Sequence, residues 1–225
     1  MVFFDWSTPI RYFPQLLQGA GLTLVITIAE FFLSLFFGIV VGYIRYKKTN
    51  KILYPILTVY IEIMRNTPLL VQLFFLYYGL PQLGIYLLSF AVGFFGLVVN
   101  ATAFNAEIIR GGIASVPKGQ WEAAQCIGLT KGKIFFHVIL PQTIRNVGPS
   151  LINQFIIYMF GTSLLSALDI RELSRTTAMI NGKTFRTFEI YTAALIIYYV
   201  LSLGCMYILR KINQKYFPSV SSKGE

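Results

Sequence analysis

A polytopic, all-α membrane bundle is the fold class this sequence predicts. Of its 225 residues, 56% are apolar or aromatic and only 12% charged, about half the charged fraction usual for a soluble domain. Five windows, about 20–44, 52–80, 83–106, 146–168 and 190–209, are long enough to cross a bilayer, which takes about 20 mostly apolar residues. They are too long and too continuously apolar for barrel strands, which leaves helices. The chain, 1–225, reads as a single transmembrane domain.

Charge supplies the topology. The net charge is +10, but its distribution argues against a nucleic-acid partner. With the N-terminus outside, Arg45, Lys47, Lys48, Lys51, Arg110, Lys118, Lys131, Lys133, Arg145, Arg210, Lys211, Lys215 and Lys223 fall inside. Only Arg11, Arg171, Arg175, Lys183 and Arg186 stay outside. That asymmetry follows the positive-inside rule and fixes five spans, N-terminus out and C-terminus cytoplasmic. Cys126 and Cys205 show neither disulfide nor metal spacing. The single histidine, His137, has no nucleophile partner, so no catalytic residue and no metal are expected. Met1–Gln18 lacks a basic leader and a cleavage site. It reads as an interfacial segment anchored by Phe3, Phe4, Trp6, Tyr12 and Phe13.

Span one ends in Gly38-Ile-Val-Val-Gly42, small residues four apart that let helices approach closely, within the bundle or between subunits. Glu30 sits mid-span, where a carboxyl must be paired, protonated or wetted. It fits either an internal hydrogen-bonded group or a pathway residue. In span two, Glu62 and Arg65 are i,i+3 neighbours able to pair, and counting from the basic loop puts Arg65 about 20 Å in, near the bilayer centre. Pro68 lacks an N–H and clashes with the preceding turn, so the helix should break around Asn66-Thr67-Pro68. Broken helices hold substrate in transporters, and a proline kink beside an ion pair can equally be structural. Span four carries Asn153, Gln154, Thr162, Ser163 and Ser166, hydroxyls that often bond back to their own helix. The segment after it, Asp169 to Phe188, is the longest external stretch. Span five reads as scaffold.

Residues 103–142 are a polar, turn-rich island between apolar runs. Ser115-Val-Pro117 resembles a helix start with a capping hydroxyl. Lys118–Cys126 predicts about two and a half helical turns, and Gly128 a left-handed stop. A second short helix is expected from Lys131 to Val138, with Pro141 marking entry to span four.

EAAQCIGLTKGKIFFHVILPQ (Glu122–Gln142) resembles the EAA motif of ATP-binding-cassette import permeases: the Glu-Ala-Ala, the glycine six residues after the glutamate and the closing Pro-Gln are in place. NAEIIRGGIASVPKGQWEAA (Asn105–Ala124), RNTPLLVQLFFLYYGLP (Arg65–Pro81), GTSLLSAL (Gly161–Leu168) and TFRTFEIY (Thr184–Tyr191) resemble the polar amino-acid subfamily, the histidine, glutamine and arginine permeases. The resemblance covers nearly the whole chain. It implies the type I importer fold, with the loop at about 107–145 carrying a coupling helix. Gly119, Glu122, Ala123, Ala124 and Gly128 would then meet a cytoplasmic ATPase dimer. It further implies a second permease, identical or homologous, and an external or periplasmic amino-acid-binding protein. The place would be a bacterial cytoplasmic membrane. ATP would act at the ATPase; this chain has no GxxxxGK[ST] phosphate loop and is expected to bind no cofactor.

Arg65, Asn66, Thr67, Asn153 and Thr162 are the candidate substrate residues. Where the family carries Asn-Glu and Lys-Asp in span four, this chain has Asn153-Gln154 and Phe160-Gly161. Those losses remove acidic partners for a cationic side chain, which argues against Arg or Lys as substrate, or for a partner permease that supplies the site. The rival function is a stand-alone, ion-coupled secondary amino-acid carrier relaying protons through Glu30, Glu62 and Glu107; five spans without an inverted repeat argue against it. A non-transporting adaptor is a third reading, disfavoured by the intramembrane polar residues.

Overall fold

The first helix, α1 (Ser7–Lys47), is 41 residues long, about 60 Å at helical rise and longer than a bilayer is thick. It is continuous through Pro14, so residues 7–18 continue the helix of span one and do not form a separate element. Phe3 and Phe4, two of the expected anchors, lie outside the described residues, as does Lys223. The computed structural model describes residues 5–48 and 50–216. Lys48 takes a left-handed φ of 51° after α1. Asn50 then caps the next helix, its Oδ1 accepting from the backbone N–H of Ile52 and Leu53.

Span two is broken where proline demands it. α2 (Leu53–Asn66) stops, Pro68 sits between with an extended backbone, and α3 (Leu69–Gln82) starts again. The freed polar groups find side chains. Asn66 Nδ2 donates to the Glu62 carbonyl at 2.8 Å, and Gln72 Nε2 donates to the Thr67 carbonyl at 3.1 Å and its Oγ1 at 2.7 Å. A break inside an apolar helical span needs such replacements, because lipid offers none.

α4 (Ser89–Ala114) and α5 (Lys118–Cys126) follow. Beyond them α6 (Lys131–Lys133), a π-helical stretch (Ile134–Ile139), α7 (Leu140–Gly161) and a 3-10 segment (Thr162–Leu168) run on without a break. The separate helix expected over Lys131–Val138 is therefore the start of one long rod. The widened π turn gives the ring of Pro141 room it would lack in a regular helix. α8 (Leu173–Thr184) and α9 (Thr187–Tyr216) complete an all-helical set among the described residues. Four helices, α1, α4, the Lys131–Leu168 rod and α9, are long and apolar enough to cross a membrane, with α3 a shorter apolar one.

The chain divides into two compact units. One gathers residues 1–32, 67–99 and 155–205. Its core is Ile26, Leu73, Leu97, Leu165, Leu168 and Ile170, beside a second cluster of Leu16, Ala20, Leu173, Ile180 and Ile190. The other gathers 33–66, 100–154 and 206–225, with Ile61, Ala103 and Ala106 packed under Val41, Tyr60 and Met64. Within this second unit the Gly38–Gly42 pair lies against α4. A Cβ on Gly38 would meet Asn105 Cβ at 2.7 Å, and one on Gly42 the Ala106 carbonyl oxygen at 2.7 Å. The small residues serve packing inside the chain.

Candidate functional site

α5 begins at Pro117, whose fixed φ suits the N-terminus and whose carbonyl accepts from Gln120 N–H. Ser115 does not cap it; its hydroxyl turns back to the Gly112 carbonyl at 2.7 Å. At the other end Gly128 takes φ 77°, a conformation open to glycine without penalty. Helical spacing divides α5 into two faces. Ala124 is buried at 4% exposure, and Trp121 stacks on Tyr46 of α1, ring centroids 6.1 Å apart and 14° from parallel. Lys47 Nζ stands 4.6 Å from the same indole, a cation–π contact that shields it from water. Gln142 Nε2 donates to Gln120 Oε1. Gly119, Glu122, Ala123 and Cys126 form the opposite, exposed face, followed by Ile127 at 75% exposure and the exposed Gly128. The helix is thus held from one side and open on the other.

In the same unit a carboxylate joins three arginines. Glu107 on α4 pairs with Arg45 of α1, with Arg110 at 2.9 Å and with Arg65 at 3.9 Å. Sequence reading paired Arg65 with its helical neighbour Glu62; in the structure Glu62 accepts from Asn66 Nδ2 at 2.9 Å and Arg65 reaches Glu107. Arg65 shares that anion with Arg45, in the last turn of α1. The Arg65 guanidinium stands 5.6 Å from the Phe104 ring. Only the alternation of basic and acidic residues near helix ends hinted at this cluster; pairing across 42 residues leaves no local signal.

The remaining candidates divide between the units. Arg65, Asn66 and Asn153 are exposed in one. In the other Thr67 is exposed and bonded to Gln72, whereas Thr162 is fully buried with its hydroxyl on the Met159 carbonyl at 2.8 Å.

Sequence reading placed Glu172 only within the mixed-charge external segment and gave it no role of its own. Fully buried, it caps α8, accepting from Ser174 N–H at 2.9 Å, Arg175 N–H at 2.7 Å, Tyr198 hydroxyl at 2.9 Å and Thr23 hydroxyl at 3.5 Å. It therefore ties α1, α8 and α9 together. Burial pushes its carboxyl above the usual carboxylate range, against the pull of those donors. An acidic residue one position before a helix was the available signal. Beside it Asp169, at a left-handed φ of 61°, pairs with Arg175 at 2.5 Å.

Comparison with known proteins gives the family. The glutamine transport system permease protein GlnP of Escherichia coli (strain K12) is 33% identical over 214 residues, covering 94% of this chain and 97% of that one. The probable amino-acid permease protein YxeN of Bacillus subtilis is 35% identical over 222 residues, covering 97% and 96%. A crystal structure of an amino acid ABC transporter with histidines superposes with a TM-score of 0.86 at 33% identity, covering 95% of this chain and all of that one. An inward-facing structure of the MetNI methionine ABC transporter, at 20% identity and TM-score 0.71, shares the fold. Residues 34–217 match the family described as the inner membrane component of binding-protein-dependent transport systems, and with an exposed loop helix on a membrane-spanning helical body, the chain belongs to that family.

Proposed function

We propose that this chain is the permease subunit of an ATP-driven importer of a polar amino acid, and that it moves its substrate by alternating access. The observation that carries the proposal is α5, pinned by Trp121 to the end of α1 while Gly119, Glu122, Ala123 and Gly128 stay open to a partner. A short helix fixed to a long one passes on a push that a flexible loop would absorb. The partner is a cytoplasmic ATPase dimer, which binds and hydrolyses the ATP; this chain contributes no cofactor and no catalysis. Ala124 faces inward and keeps α5 seated. A second permease, identical or homologous, completes the path, and an external amino-acid-binding protein delivers the substrate.

The chain sits in a bacterial cytoplasmic membrane as a single five-span domain, N-terminus outside and C-terminus inside. Arg65, Asn66, Thr67 and Asn153 are the proposed substrate contacts, supported by their exposure. Thr162, a further candidate, is buried and holds the start of the 3-10 segment through the Met159 carbonyl. A neutral polar side chain such as that of glutamine suits a span four that carries Gln154 and lacks carboxylates; a cation there would be unpaired and costly. The test is copurification of the chain with its native partners, followed by ATPase assays with the binding protein and each polar amino acid. Stimulation by a loaded binding protein is the expected result, and absence of any associated ATPase contradicts the proposal.

A further inference from the structure

In the unit that holds α8, a cavity of about 490 Å³ opens between residues 15–22 of α1 and α8. Gln15, Gln18, Arg171, Thr176 and Lys183 give it polar walls, with Met179 beside them. Two of those side chains are cations, and neither makes an ion pair among the described residues. The neighbouring arginines differ: Arg175 is taken by Asp169 and Arg186 by Glu189. Thr176 turns its hydroxyl to the Arg171 carbonyl at 3.3 Å, leaving amides, a guanidinium and an ammonium as the groups that face the space. All four side chains donate, and together they suit a phosphate oxygen cluster.

The same helix says which phosphate. Ile10, Phe13, Leu17, Val25, Phe32 and Val40 are exposed along one side of α1, each at 46% or more. Thirty residues of helix cover about 45 Å, the full thickness of a bilayer with its headgroups. Gln15 and Gln18 lie within about two turns of the outer end of that stripe, where the headgroup layer meets the hydrocarbon. Gly19 lets α8 close on α1 there, since a Cβ would meet the Thr176 hydroxyl at 2.9 Å. The cavity therefore opens at phosphate depth, beside a lipid-facing surface.

We propose that the cavity between α1 and α8 binds the phosphate of an anionic membrane lipid through Arg171 and Lys183, with Gln15 and Gln18 completing the cradle. The lipid then acts as a wedge that holds α8 against α1. This inference needs only the membrane-spanning fold, not the transport reading.

The test is native mass spectrometry of the full chain in detergent, titrated with phosphatidylglycerol, with phosphatidylcholine, and with inorganic phosphate as competitor. The wild type should retain one phosphatidylglycerol in preference to phosphatidylcholine. The double variant Arg171→Gln, Lys183→Gln should bind it about thirtyfold more weakly, at the usual worth of two basic groups near a lipid surface. Lys131→Gln with Lys133→Gln, at the far end of the rod, should leave the preference unchanged. The exchange Arg171→Lys, Lys183→Arg should keep it. If the double variant fails to fold, Lys183→Gln alone should weaken binding about fivefold. Equal retention of both lipids, or an unchanged affinity in the variants, overturns the proposal. Displacement by inorganic phosphate as readily as by lipid makes the site one for the free ion and overturns it too. A double variant that keeps its lipid but loses response to the binding protein assigns the cavity to an acidic protein surface, a third contradicting result.

Discussion

Arg65 at the end of α2 stands 3.9 Å from Glu107 of α4, so the broken second span is tied by charge to the helix that leads into the loop. The Glu107 side chain is only 17% exposed and also holds Arg45, itself 10% exposed, and Arg110. One anion thus serves three cations gathered from three helices.

The cluster should respond unequally to mutation. Glu107→Gln leaves Arg45 buried without an anion and should lower stability by about 3 kcal/mol. Arg65→Gln, at 41% side-chain exposure, should cost under about 1 kcal/mol. Thermal unfolding of both variants in the same detergent checks the order; equal losses would contradict it.

Glu122 lies exposed on the open face of α5. Glu122→Lys should change the stability of the chain by no more than about 0.5 kcal/mol, yet uncouple ATP hydrolysis from uptake in the assembled transporter. Assembly is read by copurification, coupling by the ratio of uptake to phosphate release. Normal transport in the variant would remove Glu122 from the coupling surface.

Gly128 is placed at φ 77°. Gly128→Ala should strain that turn by about 1–2 kcal/mol, shifting Ile127 on the exposed edge. The expected outcome is reduced ATPase stimulation with the helical circular-dichroism signal retained.

Glu172 gives a pH dependence of fixed sign. Burial raises its carboxyl above the ordinary range, so the folded chain binds that proton more tightly than the unfolded one. The stability it adds is full below the ordinary glutamate range and is lost as pH rises through the raised value. Comparing wild type with Glu172→Gln, the melting-temperature advantage of wild type should shrink from acid towards neutral pH. An advantage that grows with pH would reverse the assignment.

Specificity is tested at Gln154, half-buried in α7 one residue after Asn153. Gln154→Glu should gain uptake of arginine or lysine, by supplying the anion that a cationic side chain needs. Unaltered specificity would move the deciding residues to the partner permease.

Local chemistry explains what could be read in advance. Helix α5 has the predicted limits, Lys118–Cys126, because Pro117 and Gly128 punctuate it whatever packs against it. The break at Pro68 was legible for the same reason. The contacts that tie helices together were not. Arg65 finds Glu107 and Thr23 finds Glu172 across 149 residues, choices settled by packing. Helical spacing alone favoured the wrong partner for Arg65. The fusion of Lys131–Leu168 depends on a π stretch that absorbs Pro141, and no residue pattern announces one. Gly38 and Gly42 were recognisable as a close-approach pair, but only the structure shows α4 against them.

The proposed function has an ATPase acting through α5 to drive amino-acid movement. Uptake of labelled glutamine into proteoliposomes holding the purified complex, with ATP or an imposed ion gradient as the sole energy source, tests it most directly. Accumulation with ATP and loaded binding protein, and none with the gradient, is the expected result. Accumulation by this chain alone, driven by the gradient without ATP, would contradict it.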